Sequence, residues 1–217
     1  MTDALTKTSR RPVFFGGLAA ALVAVTARAA SRSRPVVTIL GDSITAGYGL
    51  KAEEALPAQL AAGLARLGLP AAVRGAGVSG DTTAGGLARV DFSVQPDTGL
   101  CVVALGGNDL LQGLDPRTTQ ANLQAIVRRL KARRIGVVLC GLHAPSSLNA
   151  GYARDFNAVF PAVARAEGVA LYPDLLAGVE LDRALNQRDG LHPNPRGVKA
   201  IAARLAPVVA RALRARP

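Results

Sequence analysis

The chain has no tryptophan, one methionine, two histidines and two cysteines among 217 residues. Two cysteines cannot build a disulfide framework, and no Cys/His cluster has zinc-ligand spacing, so neither a stapled mini-domain nor a structural metal site is expected. Imidazole chemistry is confined to His143 and His192. No segment of 20–50 residues repeats, which excludes a solenoid. The 13 Pro and 23 Gly follow no period, which excludes collagen-like character. Acidic side chains are scarce, 15 against 26 Lys and Arg, for a formal charge of +11. That excess invites a nucleic-acid reading. The densest basic run, Arg128, Arg129, Lys131, Arg133 and Arg134, has no interleaved aromatic residue and closes an expected helix. Cations suit the negative end of a helix dipole, so the run reads as a solvated helix end and no nucleic-acid partner is expected. What remains is an apolar fraction of 49%, enough for a sizeable core and incompatible with global disorder. The length fits one domain, or one domain with a short targeting segment.

The first 29 residues have the second character. Lys7, Arg10 and Arg11 precede Val13–Val25, an apolar run without a charge, and Ala27-Arg28-Ala29 matches an A-x-A cleavage site. A run of that length is short for a membrane span and suits a signal-peptide core. The alternative is an uncleaved anchor helix. The Arg10-Arg11 pair is compatible with either a twin-arginine or a general secretory signal. Cleavage would leave a chain from Ala30 with 22 basic and 14 acidic residues, net +8, in the periplasm or outside the cell, with no stable membrane span.

From Pro35 onward, short Val/Ile/Leu runs alternate with helical periodicity. Strands are expected at Val36–Leu40, Ala71–Val73, Leu100–Leu105, Ile135–Cys140 and Val169–Tyr172. Helices are expected over Leu56–Leu67, from a cap at Thr82 or Thr83 to about Val94, from the Asp115-Pro116 cap to about Arg133, over Tyr152–Glu167 and over Pro195–Leu213. Pro161 and Pro207 should disturb the last two, with a kink at Pro207. Near-continuous apolar strands alternating with helices mean an α/β fold whose parallel sheet is covered on both faces. Reactive loops in such sheets lie at the carboxyl ends of the strands.

Three strand ends carry unusual residues. Gly41-Asp42-Ser43 follows the first strand, Gly77-Val78-Ser79-Gly80-Asp81-Thr82 the second, and Gly106-Gly107-Asn108-Asp109 the third. A serine at a strand-to-helix turn can expose its hydroxyl beside helix N–H groups. Glycine admits close backbone approach, and asparagine offers an amide donor. Before the closing helix stands Asp189-Gly190-Leu191-His192-Pro193. An acid three residues before a histidine can fold back onto imidazole Nδ1, leaving Nε2 to take a proton from a serine.

These four blocks, in this order, resemble the SGNH hydrolases, also called GDSL esterases and lipases. The resemblance covers about residues 35–213. It is nearest to the small exported bacterial thioesterase I, lysophospholipase and arylesterase subgroup, notably at Gly41–Leu50 and Leu105–Asp109. It implies a three-layer α/β/α domain over 30–217 with a five-stranded parallel sheet in flavodoxin-like order, no metal and no cofactor. It implies Ser43 as nucleophile, His192 as general base, and Asp189 as the group orienting it. It implies an oxyanion hole from the backbone N–H groups of Ser43 and Gly80 and the Asn108 amide. The implied reaction is hydrolysis of a small acyl ester or thioester by a monomeric serine hydrolase. A carbohydrate acetylesterase of the same family and a non-catalytic binding domain are the alternatives.

Other features weigh less. Gly75–Gly80 is formally G-x-G-x-x-G, but it follows the second strand and lacks the expected ribose-binding acid. Asp42 is expected to hold the turn rather than react. His143 reads as a pocket or loop residue, with no acid nearby in sequence to orient it. Tyr48, Leu110, Leu111 and Leu114 flank the reactive loops as candidates to line an acyl pocket. Cys101 starts its strand and Cys140 ends the next, an expected offset of four or five residues. That is roughly 13–16 Å along the strand axis, beyond the ~7 Å Cα separation a disulfide tolerates, so two free thiols are expected.

Overall fold

The computed structural model describes Thr2, residues 34–145 and residues 147–215. The signal segment expected over 1–29 lies outside them, apart from Thr2. Ser33–Pro217 forms one compact unit.

Five strands alternate with helices: β1 Val36–Gly41, β2 Ala72–Gly77, β3 Leu100–Ala104, β4 Gly136–Cys140 and β5 Ala170–Tyr172. All pair in parallel in the order β2-β1-β3-β4-β5, the flavodoxin-like order. β2 is an edge strand, half exposed, which explains why its sequence signal is weak. It runs four residues past the expected end at Val73, through Arg74-Gly75-Ala76-Gly77, because pairing with β1 supplies what side-chain propensity does not.

Period-2 alternation divides the strands between two cores. Leu40, Cys101, Val103, Val137 and Leu139 face one layer, with residues of α3 Thr83–Ser93, α5 Pro116–Ala132 and α6 Ala150–Glu167. Val37, Ile39, Leu100, Val102, Val138 and Cys140 face the other, with α2 Leu56–Arg66 and α7 Pro195–Arg214. The three layers are therefore α/β/α, as the resemblance implies. The helix starts are set by caps: Thr82 accepts from Gly85 N–H, Asp115 from Arg117 N–H, and Asn194 from Arg196 and Gly197 N–H. α6 and α7 run through Pro161 and Pro207 without a break.

Cys101 and Cys140 are both free and buried. Their offset is smaller than expected, because Cys101 lies opposite Val137, three residues before Cys140. An odd offset places them on opposite faces of the sheet, Cys101 in one core and Cys140 in the other. The basic run at the end of α5 is engaged within the chain rather than only solvated. Arg128 pairs with Glu167 at 2.8 Å and Arg129 with Asp91 at 3.2 Å. Lys131 donates to the Glu167 carbonyl and Arg133 to the Val94 carbonyl.

Candidate active site

The strand order reverses direction between β1 and β3, and the loops leaving these strands carry Ser43 and Asn108. Such a switch point leaves a crevice at the carboxyl edge of the sheet. Two short helices not anticipated from the sequence open there: α1 Ser43–Ala46 and α4 Gly107–Leu111. Each is about one turn long, too short for periodicity to reveal. Asp42 caps α1 by accepting from Ile44 N–H at 3.1 Å, which sets Ser43 at the first helical position.

Ser43 meets a histidine 149 residues away in sequence. Its hydroxyl lies 3.0 Å from His192 Nε2, and His192 Nδ1 lies 2.7 Å from Asp189 Oδ2. The other oxygen of Asp189 accepts from the backbone N–H groups of Leu191 and His192 at 2.9 and 3.0 Å. These bonds, His192 N–H first, hold the Asp189 carboxyl at about 2, well below the usual range. The ring of Tyr48 lies 4.6 Å from that of His192. Gln187, which the sequence reading passed over, joins the two loops. Its amide donates to the carbonyls of Tyr48 at 2.8 Å and Pro193 at 3.0 Å, and its backbone N–H donates to the His192 carbonyl.

Gly80 adopts φ +82°, a left-handed conformation open to glycine at little cost. A Cβ there would meet nothing within 4 Å, so the requirement is conformational rather than steric. Asn108 donates one amide hydrogen to the Asp81 carbonyl at 2.8 Å, leaving its second for a ligand. Asp109 turns away and is buried, accepting from Thr83 N–H, Thr83 hydroxyl and Thr119 hydroxyl, which ties α4 to α3 and α5. Asp42 is buried beside this group. Burial pushes its carboxyl up to about 6, opposed by its backbone hydrogen bonds and by His192.

A cavity of about 640 Å³ opens on Ser43, Gly80, Asn108 and His192. Its walls are largely leucine: Leu110, Leu111, Leu142, Leu148, Leu175, Leu176, Leu181 and Leu191, with Ile44 and Tyr48. Leu114, a sequence candidate, is not among them, and its carbonyl accepts from Tyr152 hydroxyl instead. His143 lines the cavity together with Glu180. The imidazole partly offsets the rise that burial and Asp174 impose on the Glu180 carboxyl. An acid does therefore face His143, from a segment 37 residues on that sequence proximity could not reveal. Among the described residues no group of three or more His, Cys, Asp or Glu is arranged to hold a metal ion.

A serine, a histidine and an aspartate hydrogen-bonded in series thus stand at the mouth of an apolar cavity. Residues 39–200 match the GDSL-like Lipase/Acylhydrolase family. The chain belongs to that family. This acylhydrolase is 38% identical to Esterase TesA of Pseudomonas aeruginosa over 80% of this chain and 85% of that protein. It is 36% identical to Thioesterase 1/protease 1/lysophospholipase L1 of Escherichia coli over 80% of this chain and 81% of that one. A crystal structure of TesA superposes with a TM-score of 0.76 at 34% identity, covering 82% of this chain and 99% of that chain. The acylhydrolase is accordingly a hydrolase of ester or thioester bonds, on the α/β fold with the five-stranded parallel sheet that the sequence resemblance implied. Among the described residues no helix is long and apolar enough to cross a membrane.

Proposed function

We propose that this acylhydrolase cleaves carboxylic esters or thioesters of apolar acyl groups through an acyl-enzyme on Ser43. The observation that carries the reading is the continuous relay from Ser43 Oγ through His192 to Asp189, at 3.0 and 2.7 Å. Ser43 Oγ attacks the acyl carbon while its proton passes to His192 Nε2. Asp189 holds the ring and stabilises the imidazolium that forms. The carbonyl oxygen becomes an oxyanion and takes hydrogen bonds from the backbone N–H groups of Ser43 and Gly80 and from the free amide hydrogen of Asn108. Collapse expels the alcohol or thiol, which leaves with the proton from His192. Water then attacks the acyl-enzyme, gives its proton to His192, and the carboxylic acid departs as Ser43 is reprotonated.

The leucine-lined cavity lies within the usual 300–1,000 Å³ of small-molecule sites and suits an acyl chain. It does not suit the small polar acyl site that a carbohydrate acetylesterase needs, and an intact relay argues against a non-catalytic domain. Residues 1–29 are proposed to be an export signal, so that the mature monomer from Ala30 works in the periplasm or outside the cell.

Hydrolysis of p-nitrophenyl esters of graded chain length tests the reading. Activity should rise from acetyl toward medium chains and should fall by about 10³-fold or more in Ser43→Ala and in His192→Ala. Full activity of a purified, folded Ser43→Ala protein would remove the mechanism. N-terminal sequencing of exported protein checks the signal: a start at Ala30 supports it, and a start at Met1 removes it.

A further inference from the structure

We infer that Arg89 is the positioning residue of the oxyanion hole, fixing the relative placement of all three donors. The inference rests on the proposed roles of Ser43, Gly80 and Asn108. Arg89 projects from α3 with its side chain only 19% exposed, and its guanidinium makes four contacts at the carboxyl edge of the sheet. Nε donates to Asp81 Oδ2 at 2.7 Å. Nη2 donates to the Gly41 carbonyl at 2.8 Å. Nη1 donates to the Ala76 carbonyl at 2.9 Å and to Ser93 hydroxyl at 3.2 Å.

Apart from Ser93, at the end of the helix that carries Arg89, each acceptor belongs to the footing of one donor. Gly41 ends β1 and is joined to Ser43 through Asp42. Ala76 lies at the end of β2, where the Gly80 loop begins, and Asp81 immediately follows Gly80. The carbonyl of Asp81 is also the group that holds the Asn108 amide at 2.8 Å. One planar cation therefore ties together the roots of the Ser43 loop, both ends of the Gly80 loop, and, through Asp81, the third donor.

Packing cannot do this work at Gly80. The loop is open to solvent, with Val78 exposed and no atom near where a Gly80 side chain would start. Beside the Asn108 bond to the Asp81 carbonyl, it is fixed by backbone bonds from Val78 N–H to the Gly41 carbonyl and from Asp81 N–H to the Val78 carbonyl. Placement of the Gly80 N–H accordingly depends on the hydrogen-bonded frame that Arg89 completes. An ion pair serving stability alone would need only Asp81, whereas Arg89 also engages two backbone carbonyls of different strands. Lysine, a single point donor on a flexible stem, cannot span those acceptors as the guanidinium fork does.

The test is a kinetic comparison of Arg89→Lys, Arg89→Gln and Asp81→Asn with the parent enzyme on a short p-nitrophenyl ester, at a temperature where circular dichroism shows each folded. Misplacement of catalytic groups by about 1 Å costs about 10²-fold. Arg89→Lys should lower kcat about tenfold and Arg89→Gln about a hundredfold, with KM within about twofold. Affinity for an alkylboronic acid, whose tetrahedral adduct occupies the oxyanion hole, should fall in parallel. In an Asn108→Ala background the Arg89→Lys loss should shrink to about threefold or less, because the two substitutions damage one device. Unchanged kcat in folded Arg89→Lys and Asp81→Asn, or losses that multiply in full with Asn108→Ala, would overturn the inference. Where Arg89→Gln does not fold, Arg89→Lys and Asp81→Asn decide. Failure of the underlying reading is separable: a fully active Ser43→Ala removes the reading, whereas an inactive Ser43→Ala with unimpaired Arg89 variants removes only the role of Arg89.

Discussion

Asp189 holds His192 at both ends, accepting from its backbone N–H at 3.0 Å with one carboxylate oxygen and from its ring Nδ1 at 2.7 Å with the other. The three-residue spacing that marks the pair in the sequence is what allows one acid to reach both groups of one residue. The same bonds hold the Asp189 carboxyl at about 2. A depressed acid contributes stability that is present above its unfolded value, 3.8, and is lost as pH falls through about 2. Asp189 is expected to stay ionised throughout the neutral and mildly acidic range, so no part of the activity profile above pH 4 belongs to it. Asp189→Asn should lower kcat by about 10²–10⁴-fold, and raising the pH should not restore it. Recovery of full activity at alkaline pH would contradict the orienting role.

Asp42 behaves in the opposite sense. Its folded value, about 6, lies above the ordinary 3.8, so its stabilising contribution is present below pH 3.8 and is lost as pH rises through about 6. A shift of that size corresponds to about 3 kcal/mol at most. Asp42→Asn keeps an acceptor for Ile44 N–H and removes the charge that faces Asp81 and His192. Urea unfolding at pH 4 and pH 7.5 should show the parent losing stability relative to the variant across that interval. A stability difference that does not change with pH would refute the raised value.

Gly80→Ala separates backbone conformation from space. The new Cβ has room, yet φ +82° costs a non-glycine residue about 1–2 kcal/mol. Relaxation toward negative φ turns the peptide and with it the N–H. Activity is expected to fall about 10–10²-fold while the melting temperature changes by only a few degrees. Parent-like kcat would show that the Gly80 N–H is not a donor to the oxyanion.

Asp109→Ala should damage the fold more than any loop substitution. It leaves Thr83 N–H and the hydroxyls of Thr83 and Thr119 without their carboxylate acceptor at the junction of three helices. Each buried donor left unsatisfied costs about 1–3 kcal/mol. Urea denaturation measures it, and a loss below about 1 kcal/mol would show that the cluster is dispensable.

Both thiols should be unreactive in the native protein and titrate as two on unfolding without reductant. Burial pushes Cys101 up to about 12 and Cys140 higher still, which leaves almost no thiolate. Absence of free thiol in the unfolded, unreduced chain would reveal a bridge.

The sequence by itself determined the fold class, because strand and helix are local periodicities and each apolar run declares which faces it must bury. It also marked the four blocks that meet at the cavity, because a serine at a strand end, close-approach glycines and an acid–histidine pair are each written within a few adjacent residues. The tertiary structure decided what depends on distance between segments. The register of β3 against β4 set the cysteine offset at three residues and put the two thiols on opposite faces, which no single strand could disclose. Arg89 looked like any other arginine on a helix with an acid eight residues before it, since the acceptors that join it to two strands are backbone carbonyls at Gly41 and Ala76 that carry no side-chain signature. Gln187 was silent for the same reason, its acceptor at Tyr48 lying 139 residues away. His143 and Glu180 became neighbours only when the loop after β4 and the segment after β5 closed on one cavity. Local chemistry is carried by residue type and spacing, whereas the alignment of donors, acids and cavity walls is a property of the folded sheet edge that brings their segments together.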